Sequence, residues 1–120
     1  MRNPYDSAHQ LAKDLSQSNE YQEFKNAGVK AKEDKTLLKQ LQDFMQKQMV
    51  LEFEMMSGQN PNEEKLKELE GLYQLIQLHP DGVGFLEKQM KFQRLMADLM
   101  KIINDSVVEG NQILAEKVEE

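Results

Sequence analysis

The stretch from Gly84 to Val108 constrains this chain more than any other, because its apolar residues spread over more of a helix than one core contact occupies. Phe85, Leu86, Met90, Phe92, Leu95, Met96, Leu99, Met100, Ile102, Ile103, Val107 and Val108 exceed a single stripe when wound at about 3.6 residues per turn. A surface helix normally carries one apolar face a little over ~100° wide and a polar back, so a helix that is apolar nearly all round has to be covered on several sides. In a chain of 120 residues the cover comes either from the remaining helices together with a second copy, or from a different partner.

That length is one domain's worth, and folding removes roughly two thirds of the extended chain's surface from water. An apolar fraction of 39% with 30% charged residues suits thin, elongated helical packing better than a compact sphere. The net charge of -6 argues against a general electrostatic footprint on nucleic acid, which needs clustered Lys and Arg. The Lys residues are instead interleaved with Glu, as in Glu63 to Glu70, where alternating signs at helical spacing read as a solvated face. No Cys is present, so no disulfide framework, thiolate zinc site or Cys-held iron–sulfur cluster is expected, which fits a reducing compartment. Neither a secretory leader nor an apolar run long enough for a membrane span is visible, and the chain is read as cytoplasmic, without membrane attachment.

Local signals divide the chain into helices. Asn3 followed by Pro4 and Asp6 supplies a side-chain cap, a Pro at the first helical position and a carboxylate near the positive end of the dipole, predicting a helix from Pro4 to about Ser16. Ser18 caps a second short helix whose inward face is Tyr21, Phe24 and Ala27, with Gly28 weakening its far end. Asp34 caps a long third helix that ends at Ser57-Gly58; Leu37, Leu41, Phe44, Leu51 and Met55 keep heptad-like spacing along it. Asn60-Pro61-Asn62-Glu63 is read as the next start, with Asn60 as cap and a fourth helix from Pro61 to Leu78 burying Leu66, Leu69, Leu72, Tyr73 and Ile76. His79-Pro80 interrupts it. A fifth helix from about Val83 to Val108, roughly 26 residues and about 39 Å long, would overhang a sphere of about 35 Å diameter, which is what a compact domain of this size makes. The acidic segment 109–120 is expected to fray, apart from a last turn or two around Ile113, Leu114 and Val118.

Chemistry is sparse. His9 and His79 are isolated and share no metal-ligand spacing; Asp81-Gly82-Val83-Gly84 lacks the oxygen ligands of a calcium loop and follows no strand. Carboxylate pairs such as Glu52 and Glu54 lack the Glu-x-x-His partners of a di-iron bundle. No catalytic residue, cofactor or metal site is assigned. The eight Met are different, since Met fills irregular cores and also lines adaptable binding faces. Met45, Met49, Met55 and Met56 are the candidates for a partner-binding groove.

Taken together, Asn3-Pro4-Tyr5-Asp6 with Ala8-His9 and Leu11-Ala12, Ser18 with Glu20-Tyr21 and Phe24-Lys25, Leu72-Tyr73, His79-Pro80 and Phe92-Gln93-Arg94-Leu95-Met96-Ala97-Asp98 resemble the YlbF/YmcA family of small helical bacterial proteins, most closely its YheA-like branch. The order and spacing of these pieces carry the resemblance, which runs from Asn3 to Ile103. It implies an all-helical bundle of Gram-positive bacteria that forms dimers or higher oligomers and has no known enzymatic activity. Better-studied relatives regulate competence, sporulation and biofilm formation in a complex that influences messenger RNA processing through ribonuclease Y. Those relatives carry cysteines implicated in an iron–sulfur cluster. This chain has none, so the cluster does not transfer. It also has His79 where the family usually has Asn.

The expectation is therefore an all-α, elongated bundle of about five helices, two short and three longer, forming one domain over residues 1–120. It is expected to form a homodimer or higher homo-oligomer through Phe92, Leu95, Met96, Leu99, Met100 and Ile103, to engage protein partners and not nucleic acid, and to act as a non-enzymatic regulatory adaptor. The rival reading is a structural or chaperone-like protein that holds clients in Met-lined grooves.

Overall fold

A computed structural model describes residues 3–115, which form six helices in the order α1 (Pro4–Ser16), α2 (Asn19–Lys32), α3 (Lys35–Met56), α4 (Glu63–Gln77), α5 (Pro80–Ser106) and α6 (Val108–Gln112). The fold is all-α and elongated, with a radius of gyration of 19.1 Å and extents of 57 × 42 × 15 Å, against about 14 Å expected for a compact chain of this length. The short third dimension makes the molecule a flat assembly of helices.

The starts of α1, α2 and α3 are each fixed by a short polar side chain. Asn3 Oδ1 accepts the N–H of Asp6 at 2.9 Å, Ser18 Oγ that of Tyr21 at 3.2 Å and Asp34 Oδ1 that of Leu37 at 3.1 Å, each satisfying a donor that the first helical turn leaves free. At the end of α3, Gly58 takes a φ of 83°, and the N–H of Gln59 reaches back to the carbonyl of Glu54 at 3.0 Å. A left-handed residue at this position closes a helix at no steric cost when it is Gly.

Two starts differ from the sequence reading. The fourth helix is capped by Asn62, whose Oδ1 accepts from Glu64 and Lys65 at 2.8 and 3.4 Å, so Asn60 and Pro61 lie outside it. The fifth helix begins at Pro80 and not at about Val83, with His79 at the cap making no side-chain cap hydrogen bond, so Asp81 and Gly82 lie inside its first turn. Two ends differ as well. α2 runs through Gly28 to Lys32, and a further helical turn, α6, follows the kink at Val107. Glu116 to Glu120, with Val118 among them, lie outside the described residues.

The helices form two antiparallel pairs that meet at one end. α2 runs antiparallel to α5, held in register by Lys30–Asp81 at 3.4 Å and Lys88–Glu23 at 3.2 Å and by rings: Phe24 lies 5.4 Å from both Phe85 and Phe92, and Tyr21 lies 5.5 Å from Phe92. α3 and α4 form the second pair, a hairpin, with Phe44 against Tyr73 at 6.0 Å and a Lys65–Glu54 ion pair near the loop that joins them. Partly exposed ion pairs of this kind fix alignment more than they stabilise, at about 0–1 kcal/mol each. α1 rests on α2.

The core sits where the two pairs meet: Ala31, Leu37, Leu41, Phe44, Ile76, Phe85 and Leu86, with Phe24, Ala27, Leu69 and Leu72 packed around them. Gly82 belongs to this junction because a Cβ there would stand 2.7 Å from the Ile76 carbonyl oxygen and 2.9 Å from a Leu37 methyl. α5 can begin against the end of α4 because position 82 has no side chain. Away from the junction burial falls off: Met55, Leu66 and Tyr73, expected in the core, are exposed.

Candidate functional site

The uncovered surface of interest is the distal half of α5. At 100° per residue, Phe85 and Gln89, both buried, share a sector of about 60° with Met96, Met100 and Ile103, and the capping residue Val107 follows four residues on, just past the end of the helix. One face of one helix therefore starts inside the core and runs on past the end of it. Phe85 is 9% exposed and Gln89 8%, whereas Met96 is 36%, Met100 49%, Ile103 46% and Val107 49% exposed. The reason is length: α5 has 27 residues and its partner α2 has 14, so at about 1.5 Å per residue the longer helix outruns the shorter by about 20 Å.

The six residues assigned to this face by sequence separate into two groups. Phe92 is half-buried in the aromatic cluster with Tyr21 and Phe24, and Leu95 and Leu99 are half-buried beside it. Met96, Met100 and Ile103 stand open. Val107, the capping residue just past α5, is open as well; the sequence counts it among the apolar residues of this stretch but not in the interface.

The charged residues of this stretch lie on the other side. Lys91, Arg94, Asp98, Lys101 and Asp105 all fall within a sector of about 80° centred opposite the stripe, where Lys101 and Asp105 pair at 3.7 Å. From Gln89 to Val107 the stripe itself carries no charge.

A second apolar surface lies toward the loop end of the α3–α4 hairpin, away from the core. Met45, Met49, Met55 and Met56 are all exposed, but they do not form one groove. Met49 lines a shallow recess of about 480 Å³ with Val50, Phe53, Glu54 and Gln59, and the other three Met are not part of its lining. A further groove of about 340 Å³ runs between the two helix pairs; its lining includes Phe44, Tyr73, Leu86 and Met90, one carboxylate, Glu87, and four glutamines, Gln48, Gln77, Gln89 and Gln93. Sequence reading had no reason to assemble these amides, since they come from three helices. Gln89 was missed for a related cause: a Gln on an amphipathic helix gives no sign that it will be buried.

Nothing in this geometry gathers reactive groups. His79 Nδ1 faces Asp34 Oδ2 at 3.7 Å, His9 is exposed, and among the described residues no group of three or more His, Asp or Glu is placed to hold a metal ion. No described helix is long and apolar enough to cross a membrane.

Fold and surface together define a class, the small all-helical protein whose longest helix extends an uncharged apolar face beyond its own core. The chain belongs to the YlbF/YmcA family: the family model described as "Control of competence regulator ComK, YlbF/YmcA" matches residues 5–108. Among curated proteins it is similar to a UPF0342 protein of Caldicellulosiruptor saccharolyticus, 39% identical over 107 residues and covering 89% of each chain. A UPF0342 protein of Clostridium tetani is 35% identical over 105 residues, or 88% of this chain and 90% of the relative. Among solved structures, a protein of unknown function (DUF964) from Bacillus stearothermophilus superposes with a TM-score of 0.71 at 16% identity, over 91% of this chain and 96% of that one; at that identity the likeness establishes the fold.

Proposed function

We propose that this protein is a non-enzymatic helical adaptor of the cytoplasm that self-associates through the distal half of α5 and acts in regulation through protein partners. One observation carries the reading: the core-facing side of α5 continues as an exposed, uncharged apolar stripe at Met96, Met100, Ile103 and Val107. A contiguous apolar patch of this kind marks an interaction surface on a water-soluble protein. Leu95, Leu99 and Phe92, half-buried at its edge, complete the face. Burying a leucine-sized side chain contributes roughly 1.5–3 kcal/mol, so the open residues of two subunits together exceed the lower range of an association cost of about 4–15 kcal/mol. The regulatory part rests on the family, whose model is described as control of a competence regulator.

The test is sedimentation velocity on the full chain with Leu99→Glu and Ile103→Glu together, which is expected to give monomer or aggregate. Because Leu99 is half-buried, a companion with Met100→Glu and Ile103→Glu, both at open positions, separates loss of association from loss of folding. Either variant sedimenting as the parental oligomer overturns the interface.

A second reading is favoured by the recess at Met49, Val50 and Phe53: a chaperone-like protein that holds varied apolar clients, for which pliable Met side chains are suited. Strong binding of an apolar dye by the native oligomer supports it, and a dark oligomer supports closed self-association.

A further inference from the structure

Self-association through α5 leaves open how two copies align, and the geometry points to an antiparallel α5–α5 pair whose two-fold axis passes between Lys101 and Ile102. This inference rests on the reading above and adds orientation and register to it.

Three observations carry it. The first is steric. The stripe of Met96, Met100, Ile103 and Val107 lies on the same side of α5 as Phe85 and Gln89, and that side is filled in the proximal half by the chain's own α2, α3 and α4. A parallel pair would lay both proximal halves level with each other, each core occupying the space the other α5 needs. Turned end for end, the two cores stand at opposite ends of the pair. The distal halves then meet alone.

The second is periodicity. The open positions fall at spacings of four, three and four residues from Met96 to Val107, the a and d pattern of a two-helix seam. Centred between Lys101 and Ile102, an antiparallel partner sets Met96 against the partner's Val107 and Met100 against the partner's Ile103, and the two-fold repeats both pairs. An isologous contact of this type is self-complementary by construction.

The third is charge. A two-fold axis brings every group near its own copy, so a charged stripe would oppose itself; here Lys91, Arg94, Asp98, Lys101 and Asp105 all lie on the far side, in water. A face without charge suits a second copy of itself better than it suits a strongly acidic or basic partner.

The absence of cysteine makes the arrangement directly readable. A disulfide needs Cα atoms within about 7 Å. In the antiparallel register Met96 of one copy meets the partner's Val107 but lies about 16 Å along the axis from the partner's Met96; in a parallel pair it meets the partner's Met96. Met96→Cys and Val107→Cys, each at an exposed position that tolerates exchange, are prepared as full chains, one carrying a size tag. They are mixed, re-equilibrated under reducing conditions, oxidised and separated without reductant.

The expected result is one dominant mixed disulfide, with less than about a tenth as much product from either variant alone. Met100→Cys mixed with Ile103→Cys is expected to give the mixed disulfide too, without the same selectivity, because like residues there lie only about 4–5 Å apart along the axis. Efficient self-crosslinking of Met96→Cys alone and of Val107→Cys alone overturns the proposal in favour of parallel pairing. Absence of crosslinks in all mixtures, while the cysteine-free parent sediments as a dimer, overturns it in favour of a different surface. A parent that sediments as a monomer overturns the self-association reading itself, and this inference with it.

Discussion

The proximal and distal halves of α5 share a helix, a face and a composition, yet one half is core and the other is surface. Phe85 and Leu86 pack against Phe24, Ala31 and Ile76; Met100 and Ile103, on the same side and at matching spacings, meet no comparable cover. What differs is the supply of neighbours. α2 reaches only as far as Phe92, and the α3–α4 hairpin leaves the junction in another direction. Amphipathic pattern therefore reports that a face needs cover, and the lengths of the other helices decide whether this chain provides it.

The contrast is broken most forcefully from its buried side. Phe85→Ala removes a ring that touches Phe24 and lies beside Gly28, and a truncation of this kind in a core costs about 3–5 kcal/mol. Ile103→Ala on the same helix is expected to cost under about 1 kcal/mol at dilute protein. Urea unfolding followed by helical circular dichroism measures both, and equal losses would show that the two halves are equally packed. Gly82→Ala comes next. Its Cβ would meet the Ile76 carbonyl, a backbone atom that cannot swing aside, so the end of α4 and the start of α5 must part, at about 1–3 kcal/mol. The same exchange at Gly84, which has open space around its Cβ position, should be neutral or stabilising by up to about 1 kcal/mol, since Ala is the better helix former. A third pair tests the hairpin that carries the other apolar surface: Asn62→Ala loses the α4 cap and about 1 kcal/mol, whereas Asn60→Ala, outside the helix, leaves the unfolding midpoint unchanged. Reversal of those two effects would restore the start that the sequence suggests.

That last pair also shows where sequence reading succeeds and where it fails. Asn3, Ser18 and Asp34 are legible because a cap is a local contact, between a side chain and a backbone N–H three residues on. At 60–63 two Asn flank a Pro, both satisfy the rules for a start, and only the geometry of the exit from α3 selects Asn62. At 79–84 the opposite happens: Pro80 is a first-turn Pro, but two nearby glycines suggest a loop. Gly82 is there for a contact with Ile76, a residue on another helix that no local rule can see. The core of α3 was legible for Leu37, Leu41, Phe44 and Leu51, and not for Met55, since the seventh-residue repeat continues past the point where α4 stops covering it. On α5 the excess of apolar surface was visible from the residues, but its division was not. Phe92, Leu95 and Leu99 turn toward α2 and its surroundings while Met96, Met100 and Ile103 stay open, and that division depends on where α2 begins.

The smallest expected effect is the one that most sharpens the comparison. Met100→Ala removes an open side chain that makes no part of the core, so at nanomolar protein its thermal midpoint should match the parent's, surface exchanges away from packed sites being worth within about 0.5 kcal/mol. If a second copy covers the distal stripe, the parent's midpoint rises with protein concentration, because association stabilises the folded state by mass action. The variant's midpoint should then rise less steeply, and the two curves should diverge from a common value at dilution. Divergence at all concentrations would mean that Met100 already packs within its own subunit. Coincidence at all concentrations would mean that no second copy meets it. Only curves that start together and separate as the protein is concentrated match a face that is left uncovered in one subunit and shielded in two.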